Sequence, residues 1–147
     1  ADSFGRTSDP DIFAIGDCSN YFHERYQTHL RLESVQNAVD QAKVAAANIC
    51  GKEINYDSIP WFWSDQYDTK LQIAGLNSGY DRVVTRFGQR EGSLSFWYYS
   101  ASRLVAVDAV NDPRSYMIGK RLIETGKSPD ASLVENPETD LKALLTS

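Results

Sequence analysis

The sequence predicts an α+β fold: an antiparallel sheet of about five strands followed by C-terminal helices, with a strand–loop–helix segment before the sheet. An alanine-rich stretch ahead of Gly51 repeats apolar residues at helical spacing. Between residues 61 and 110 the hydrophobic period shortens to two, which is typical of strands. The strand candidates are joined by such short connections that only hairpins fit, so the sheet is expected to be antiparallel.

The segment before the sheet opens with the stretch TSDPDIFAIGDC at 7–18. Its apolar run from Ile12 to Ile15 predicts a short strand buried on both faces. Gly16 and Asp17 follow where that strand would end, and ligands of open α/β sheets lie at the carboxyl ends of strands. A glycine lets the backbone approach a ligand closely, and an aspartate offers acceptors for sugar or polyol hydroxyls. A turn or helix cap is the structural alternative for this pair.

A polar connection over residues 19–31, expected to be a loop, precedes a predicted helix. Ser34 is the expected N-cap, and Gly51 suits the left-handed position after the C-terminus. The start of such a helix presents unpaired N–H groups and favours anions. An ordinary capped helix with an Arg31–Glu33 surface ion pair is the alternative. Its apolar face is predicted to comprise Val35, Ala38, Val39, Ala42, Ala46 and Ile49.

Five strands are predicted in the second half of the chain, and the first is rich in aromatic residues. Alternation along this strand puts Trp61 and Trp63 on one face and Phe62 on the other. Two indoles on one face could cover a planar ligand or line a path to an electron acceptor, and core packing is the alternative. The predicted strands are Trp61–Gln66, Leu71–Leu76, Arg82–Phe87, Leu94–Tyr99 and Leu104–Val110.

Two helix starts follow the sheet. Asn111-Asp112-Pro113 predicts a helix that runs to about Thr125 and stops at Gly126. Asn136-Pro137-Glu138 predicts the start of a short terminal helix containing Leu141, Leu144 and Leu145. A turn-forming stretch over residues 52–60 marks a domain boundary, and we assign residues 1–53 and 54–147 to separate domains.

Composition excludes several classes of protein. The net charge of −5 over 147 residues argues against a nucleic-acid partner. No apolar stretch approaches the length of a membrane span. Cys18 and Cys50 lack a CxxC neighbour, which predicts two free thiols in a reducing cytoplasm. His23 and His29 stand without a ligand cluster, so no metal site is predicted.

The joint pattern resembles one family, the NADH-dependent ferredoxin and rubredoxin reductases of the FAD-dependent pyridine-nucleotide-disulfide-oxidoreductase fold (putidaredoxin-reductase-like). The resemblance implies that Asp17, at the Gly16 turn, binds the ribityl chain of FAD. It implies that Glu33, Ser34 and Val35 approach the flavin and that Trp63 lies beside the isoalloxazine, near the iron–sulfur partner. The matching stretches are TSDPDIFAIGDC, RLESVQNA (31–38), PWFWSDQYDTKLQIAGL (60–76), GYDR (79–82) and AVDAVNDP (106–113).

The resemblance also implies a function for a larger enzyme of which this chain is the C-terminal part, with residues 1–53 completing the FAD-binding domain. NADH would reduce FAD, and the flavin would pass single electrons to a ferredoxin or rubredoxin that feeds an oxygenase. No side chain here is expected to be catalytic, because no dithiol and no histidine after His29 is present. The isolated chain is expected to lack NADH oxidation and to bind FAD weakly. Its residues 1–50, detached from the sheet to which they belong, are expected either to dock on a neighbouring copy by self-association or to be disordered.

Two alternatives stay open at this point. One is another flavin NADH oxidoreductase of the same architecture, of the monodehydroascorbate-reductase or apoptosis-inducing-factor-like type. The other is a stand-alone module whose aromatic sheet face binds a protein partner without redox chemistry.

Overall fold

The structure, a computed structural model, describes residues 1–146 and divides into two compact units, one from Ala1 to Pro60 and one from Trp61 onward. Compact units need not coincide with domains, so the domain boundary predicted after residue 53 stays a prediction.

In the first unit a 3₁₀ turn over Gly16–Cys18 precedes a small antiparallel hairpin of β1 (Tyr21–His23) and β2 (Thr28–Leu30). The expectation of a plain loop over residues 19–31 was therefore wrong. Side chains alternate along β1 as in a strand: Tyr21 and His23 are buried, and Phe22 between them is exposed.

The strand predicted from Ile12 to Ile15 is absent. Only Phe13 forms a bridge, with Arg6, and Ile12 and Ile15 are exposed. A strand buried on both faces needs hydrogen-bonded neighbours on both sides. The part of the chain that the structure describes supplies a single bridge, so the run stays irregular.

Helix α1 (Val35–Ile49) begins and ends as predicted. The Ser34 hydroxyl oxygen accepts a hydrogen bond from the Asn37 N–H at 3.2 Å, and Gly51 has a φ of 79°. Of the predicted apolar face, Val35, Val39 and Ile49 are exposed in this chain. The residues buried instead are Asn37, Gln41, Ala45 and Asn48.

The second unit contains a five-stranded sheet in the order β3-β4-β7-β6-β5, with every neighbouring pair antiparallel. This confirms the predicted α+β fold and the antiparallel sheet. The strands are β3 (Trp61–Gln66), β4 (Thr69–Gly75), β5 (Arg82–Phe87), β6 (Leu94–Ser100) and β7 (Arg103–Val110).

Helix α2 (Pro113–Thr125) follows β7 and packs on it. Asp112 caps its N-terminus by accepting from the Ser115 N–H at 3.0 Å, and Gly126 ends it as predicted. Helix α3 (Ala131–Glu135) was not predicted. The fully buried side chains of the unit include Trp97, Val107, Leu122 and Val134.

The terminal helix expected to start at Asn136 is a 3₁₀ turn over Leu141–Leu145, capped by Asp140. The carbonyl oxygens of Asn136, Pro137 and Thr139 instead accept hydrogen bonds from Arg86. Because these acceptors are engaged by a side chain, the segment does not continue as a helix.

Candidate functional site

The predicted ligand turn at Gly16 depends on its glycine for two reasons. Gly16 has a φ of 71°, a conformation that residues with a Cβ rarely adopt. A Cβ added there would also lie 3.3 Å from the Cβ of Ala38 on helix α1. The Gly16 N–H is buried and donates to Oε1 of Gln41 at 2.7 Å. The turn is thus fixed directly against the helix.

Asp17 follows in this turn with its side chain exposed. No group among residues 1–146 hydrogen-bonds to its carboxylate, whereas its backbone carbonyl accepts from Nη1 of Arg31 at 3.1 Å. Arg31 Nη1 also lies 2.5 Å from Oε1 of Glu33. Arg31 therefore connects the turn of Asp17 with the segment that enters helix α1. Within the first unit these predicted site residues come together.

The start of helix α1 keeps backbone donors available. Ser34 satisfies the N–H groups of Asn37, through its hydroxyl, and of Ala38, through its carbonyl. The N–H groups of Val35 and Gln36 have no partner among the described residues, as is usual in a first helical turn. Val35 is 65% exposed, so this end of the helix is accessible. An acceptor-only carboxylate and free N–H groups form a donor and acceptor set suited to a polyhydroxylated or anionic ligand.

A buried amide network behind the turn was missed from the sequence. Asn37 Nδ2 donates to the Leu32 carbonyl at 3.0 Å, and the Tyr56 hydroxyl donates to Asn37 Oδ1 at 3.0 Å. Burial raises the pKa of Tyr56 to about 12, so it remains a neutral donor at physiological pH. The spacing of Asn37, Gln41 and Asn48 along one face of the helix was the available signal.

Trp63 belongs to the second unit, on the edge strand β3. The predicted alternation is correct: Trp61 and Trp63 lie on one face, with ring centroids 5.5 Å apart. Trp61 also contacts Tyr116 of α2, at 6.2 Å between centroids, and the Lys120 ammonium lies 5.2 Å from its ring. Trp63 is 40% exposed. Trp61 therefore packs against α2, and the Trp63 indole is partly exposed to solvent.

Basic residues on α2 and the terminal turn form a groove in the same unit, which the sequence did not reveal. Arg114, Lys120, Arg121 and Lys142 line it together with Met117, which is 62% exposed. Acidic side chains neutralise part of this charge, since Arg114 pairs with Asp140 at 2.5 Å and Lys120 pairs with Glu124 at 3.3 Å.

Other site chemistry is limited in the described part of the chain. Residues 1–146 contain no group of three or more potential metal ligands among histidine, cysteine and carboxylate side chains. Cys18 and Cys50 are free thiols, as predicted, and both are exposed. None of the described helices combines the length and apolarity needed to cross a membrane.

The five-stranded antiparallel sheet with its C-terminal helices defines an α+β domain in the second unit. Residues 61–145 match the family model described as reductase C-terminal, and the chain belongs to that family.

Relatives extend the match over nearly the whole chain. A ferredoxin–NAD(P)⁺ reductase of Sphingomonas sp is 42% identical over 147 residues, covering 99% of this chain and 35% of that protein. Rhodocoxin reductase of Rhodococcus erythropolis is 42% identical over 141 residues, covering 96% and 33%. The chain thus spans about a third of the length of these relatives.

Solved structures agree in fold. The ferredoxin reductase for the CYP199A2 system from Rhodopseudomonas palustris superposes with a TM-score of 0.92 at 42% identity, covering 97% of this chain and 35% of that chain. The covalent putidaredoxin reductase–putidaredoxin complex gives 0.91 at 36% identity, covering 99% and 35%. The family match, the relatives and the solved structures together confirm the resemblance to ferredoxin reductases.

Proposed function

We propose that the chain is the C-terminal part of an FAD-dependent ferredoxin reductase that passes electrons from NADH, through FAD, to a small iron–sulfur protein feeding an oxygenase. The main support is the 42% identity to a ferredoxin–NAD(P)⁺ reductase across 99% of the chain. An acceptor of the ferredoxin or rubredoxin type is supported by relatives named for such partners, including a rubredoxin–NAD⁺ reductase of Pseudomonas putida.

In this proposal FAD is held partly by the first unit, and it supplies the hydride-accepting and single-electron chemistry when bound. The exposed Asp17 carboxylate accepts hydrogen bonds from ribityl hydroxyls. The free N–H groups at the start of α1, together with Glu33, Ser34 and Val35, lie against the flavin. Among residues 1–146 the Asp17 carboxylate oxygens accept no hydrogen bond and the Val35 and Gln36 N–H groups donate none, and this donor and acceptor set fits the group.

Trp63 and the basic groove suit the acceptor side of the reaction. An exposed indole supported by Trp61 provides a flat apolar contact. The basic residues of α2 complement an acidic surface on a small iron–sulfur protein, and such complementarity accelerates encounter. Trp63 is therefore proposed to lie beside the isoalloxazine and near the docked acceptor.

The isolated chain is proposed to lack NADH oxidation and to bind FAD weakly. The pyrophosphate and adenine of a dinucleotide require a Gly-rich strand–turn–helix, and these 147 residues contain none. The proposal keeps the predicted domain boundary. Residues 1–53 complete an FAD-binding domain, and residues 54–147 form the reductase C-terminal domain of a cytoplasmic enzyme.

A fusion tests the proposal. This chain replaces the matching third of the Sphingomonas reductase, and FAD content and NAD(P)H-dependent ferredoxin reduction are measured. We expect a flavin-loaded, active fusion whose FAD affinity falls about tenfold, or 1.4 kcal/mol, in Asp17→Ala. Asp11→Ala removes an exposed carboxylate of the same segment and serves as the control. A soluble, folded fusion without flavin, or equal FAD affinity in both variants, contradicts the proposal.

A further inference from the structure

We propose that Gln41 is a positioning residue for the flavin site: by holding the Gly16 N–H it aims the Asp17 carboxylate at the ribityl chain. This inference rests on the proposed role of Asp17 in FAD binding. Gln41 is buried, whereas the Asp17 side chain is exposed.

The bond between the turn and the helix is short and buried. The Gly16 N–H donates to Gln41 Oε1 at 2.7 Å, although the two residues are 25 positions apart. Gly16 also has a left-handed backbone, and Asp17 is the next residue in the same 3₁₀ turn. The direction of the Asp17 side chain therefore depends on a backbone conformation that Gln41 stabilises.

Gln41 is itself held in place. Its Oε1 lies 3.5 Å from Asn37 Nδ2, which also donates to the Leu32 carbonyl at 3.0 Å. Tyr56 closes the network by donating from its hydroxyl to Asn37 Oδ1. Gln41, Asn37 and Tyr56 are 6%, 4% and 8% exposed. The network thus joins the Gly16 turn to the segment that brings Glu33 and Ser34 to the helix.

A buried glutamine on an alanine-rich helix is costly unless its polar atoms are satisfied. An apolar residue of the same size would pack there without that requirement. Removing the acceptor leaves the Gly16 N–H buried and unpaired, which destabilises the turn unless the turn rearranges. Rearrangement displaces Asp17, so the effect reaches the ligand without any contact between Gln41 and FAD.

The first test uses the 147-residue chain without flavin. Amide hydrogen exchange of Gly16 is measured by NMR in the native chain, Gln41→Met, Gln41→Glu and the control Gln36→Met. Gln36 is on the same helix, but its side chain donates to Asp40 instead of the turn. We expect protection of Gly16 in the native chain, Gln41→Glu and the control. We expect at least about tenfold faster exchange in Gln41→Met, matching the lost bond.

The second test uses the Sphingomonas fusion and measures the FAD dissociation constant and the flavin visible circular dichroism. Gln41→Met is expected to weaken FAD about tenfold and to change the dichroism, with Gln41→Glu restoring both because it keeps an acceptor oxygen. If Gln41→Met does not fold, Gln41→Asn replaces it, since the shorter amide cannot reach Gly16.

The two proposals fail in different ways. If Asp17→Ala leaves FAD affinity unchanged, the flavin role of Asp17 is wrong. If Asp17→Ala weakens FAD while Gln41→Met changes neither Gly16 exchange nor FAD affinity, the positioning role is wrong and the flavin site stands. An equal loss of FAD affinity in Gln41→Met and Gln41→Glu also overturns the inference, because the acceptor oxygen would then make no difference.

Discussion

The Arg86 guanidinium binds the Thr139 carbonyl oxygen at 2.9 Å from Nη2, across 53 residues of sequence. The same Nη2 donates to Pro137, while Nη1 donates to Val134 and Asn136. Arg86 is 9% exposed, and burial lowers the pKa of its guanidinium. The side chain thus binds the end of α3 and the segment after it to the edge strand β5 through four backbone acceptors.

Arg86→Lys is expected to destabilise the chain by about 2 kcal/mol. An ammonium has three donors and no planar fork, so at least one carbonyl oxygen loses its partner. Urea unfolding measures the loss. Arg82→Lys, an exposed position on the same strand, should change the free energy of unfolding by no more than about 0.5 kcal/mol. Equal stability of the two variants would show that the four bonds contribute little.

Asp108 makes stability depend on pH in an unusual direction. Burial raises the pKa of its carboxyl, and the hydrogen bond from the Tyr98 hydroxyl at 2.8 Å lowers it in part. Because the folded pKa lies above the unfolded value, the folded chain holds the proton longer. The stabilisation that comes from the protonated Asp108 carboxyl is therefore present below the unfolded pKa near 3.8 and is lost as pH rises through the folded pKa.

Asp108→Asn keeps an acceptor for Tyr98 and removes the charge, so its stability relative to the native chain should rise between acidic and neutral pH. Urea unfolding across that pH range measures the difference. Asp65→Asn, at an exposed site on β3, controls for the change in net charge. A stability difference for Asp108→Asn that is flat with pH would contradict the assignment.

Substitutions of the two tryptophans on β3 should have different effects, one mainly on stability and the other mainly on electron transfer. Trp61 packs against Tyr116 and Lys120, so Trp61→Ala is expected to cost about 2 kcal/mol of unfolding free energy. Trp63→Ala removes a 40% exposed ring and should cost less than about 1 kcal/mol. In the Sphingomonas fusion, however, Trp63→Ala should lower the rate of ferredoxin reduction severalfold. A normal rate with Trp63→Ala would remove this indole from the acceptor site.

Local signals were enough to predict the sheet and α2 of the second unit. Alternating hydrophobicity, short hairpins and the Asp112-Pro113 cap all act within a few residues of one another, and the sheet with α2 formed as expected. The burial of Arg86 and its four hydrogen bonds could not be predicted from local signals. Its four acceptors lie about 50 residues away, and nothing in an isolated arginine on a strand indicates that it is buried.

The first unit was harder to predict because its elements depend on long-range partners. Ile12 to Ile15 have the composition of a buried strand, but the described chain supplies one bridge instead of two neighbouring strands. The site residues Asp17 and Glu33 could be selected by motif, and Arg31 does connect them. The spacing of Asn37, Gln41 and Asn48 marks a polar face of α1, but it does not identify the distant Gly16 turn that Gln41 binds.

The exposed apolar face of helix α1 is the basis for the predicted self-association of the isolated chain. Val35, Val39 and Ile49 are 65%, 42% and 66% exposed, and they lie on one side of an otherwise regular helix. Burying such a stripe against a second copy removes apolar surface from water, at roughly 25 cal/mol per Å².

Val39→Lys should therefore shift the chain toward monomer in sedimentation velocity at increasing concentration. Leu133→Lys adds the same charge at an exposed apolar position of the second unit and should leave association unchanged. Circular dichroism verifies that both variants fold. A native chain that stays monomeric at every concentration would contradict the predicted self-association, because the apolar face of α1 would then remain exposed to solvent. Equal weakening by both substitutions would attribute the association to net charge, because the two variants share only the added lysine.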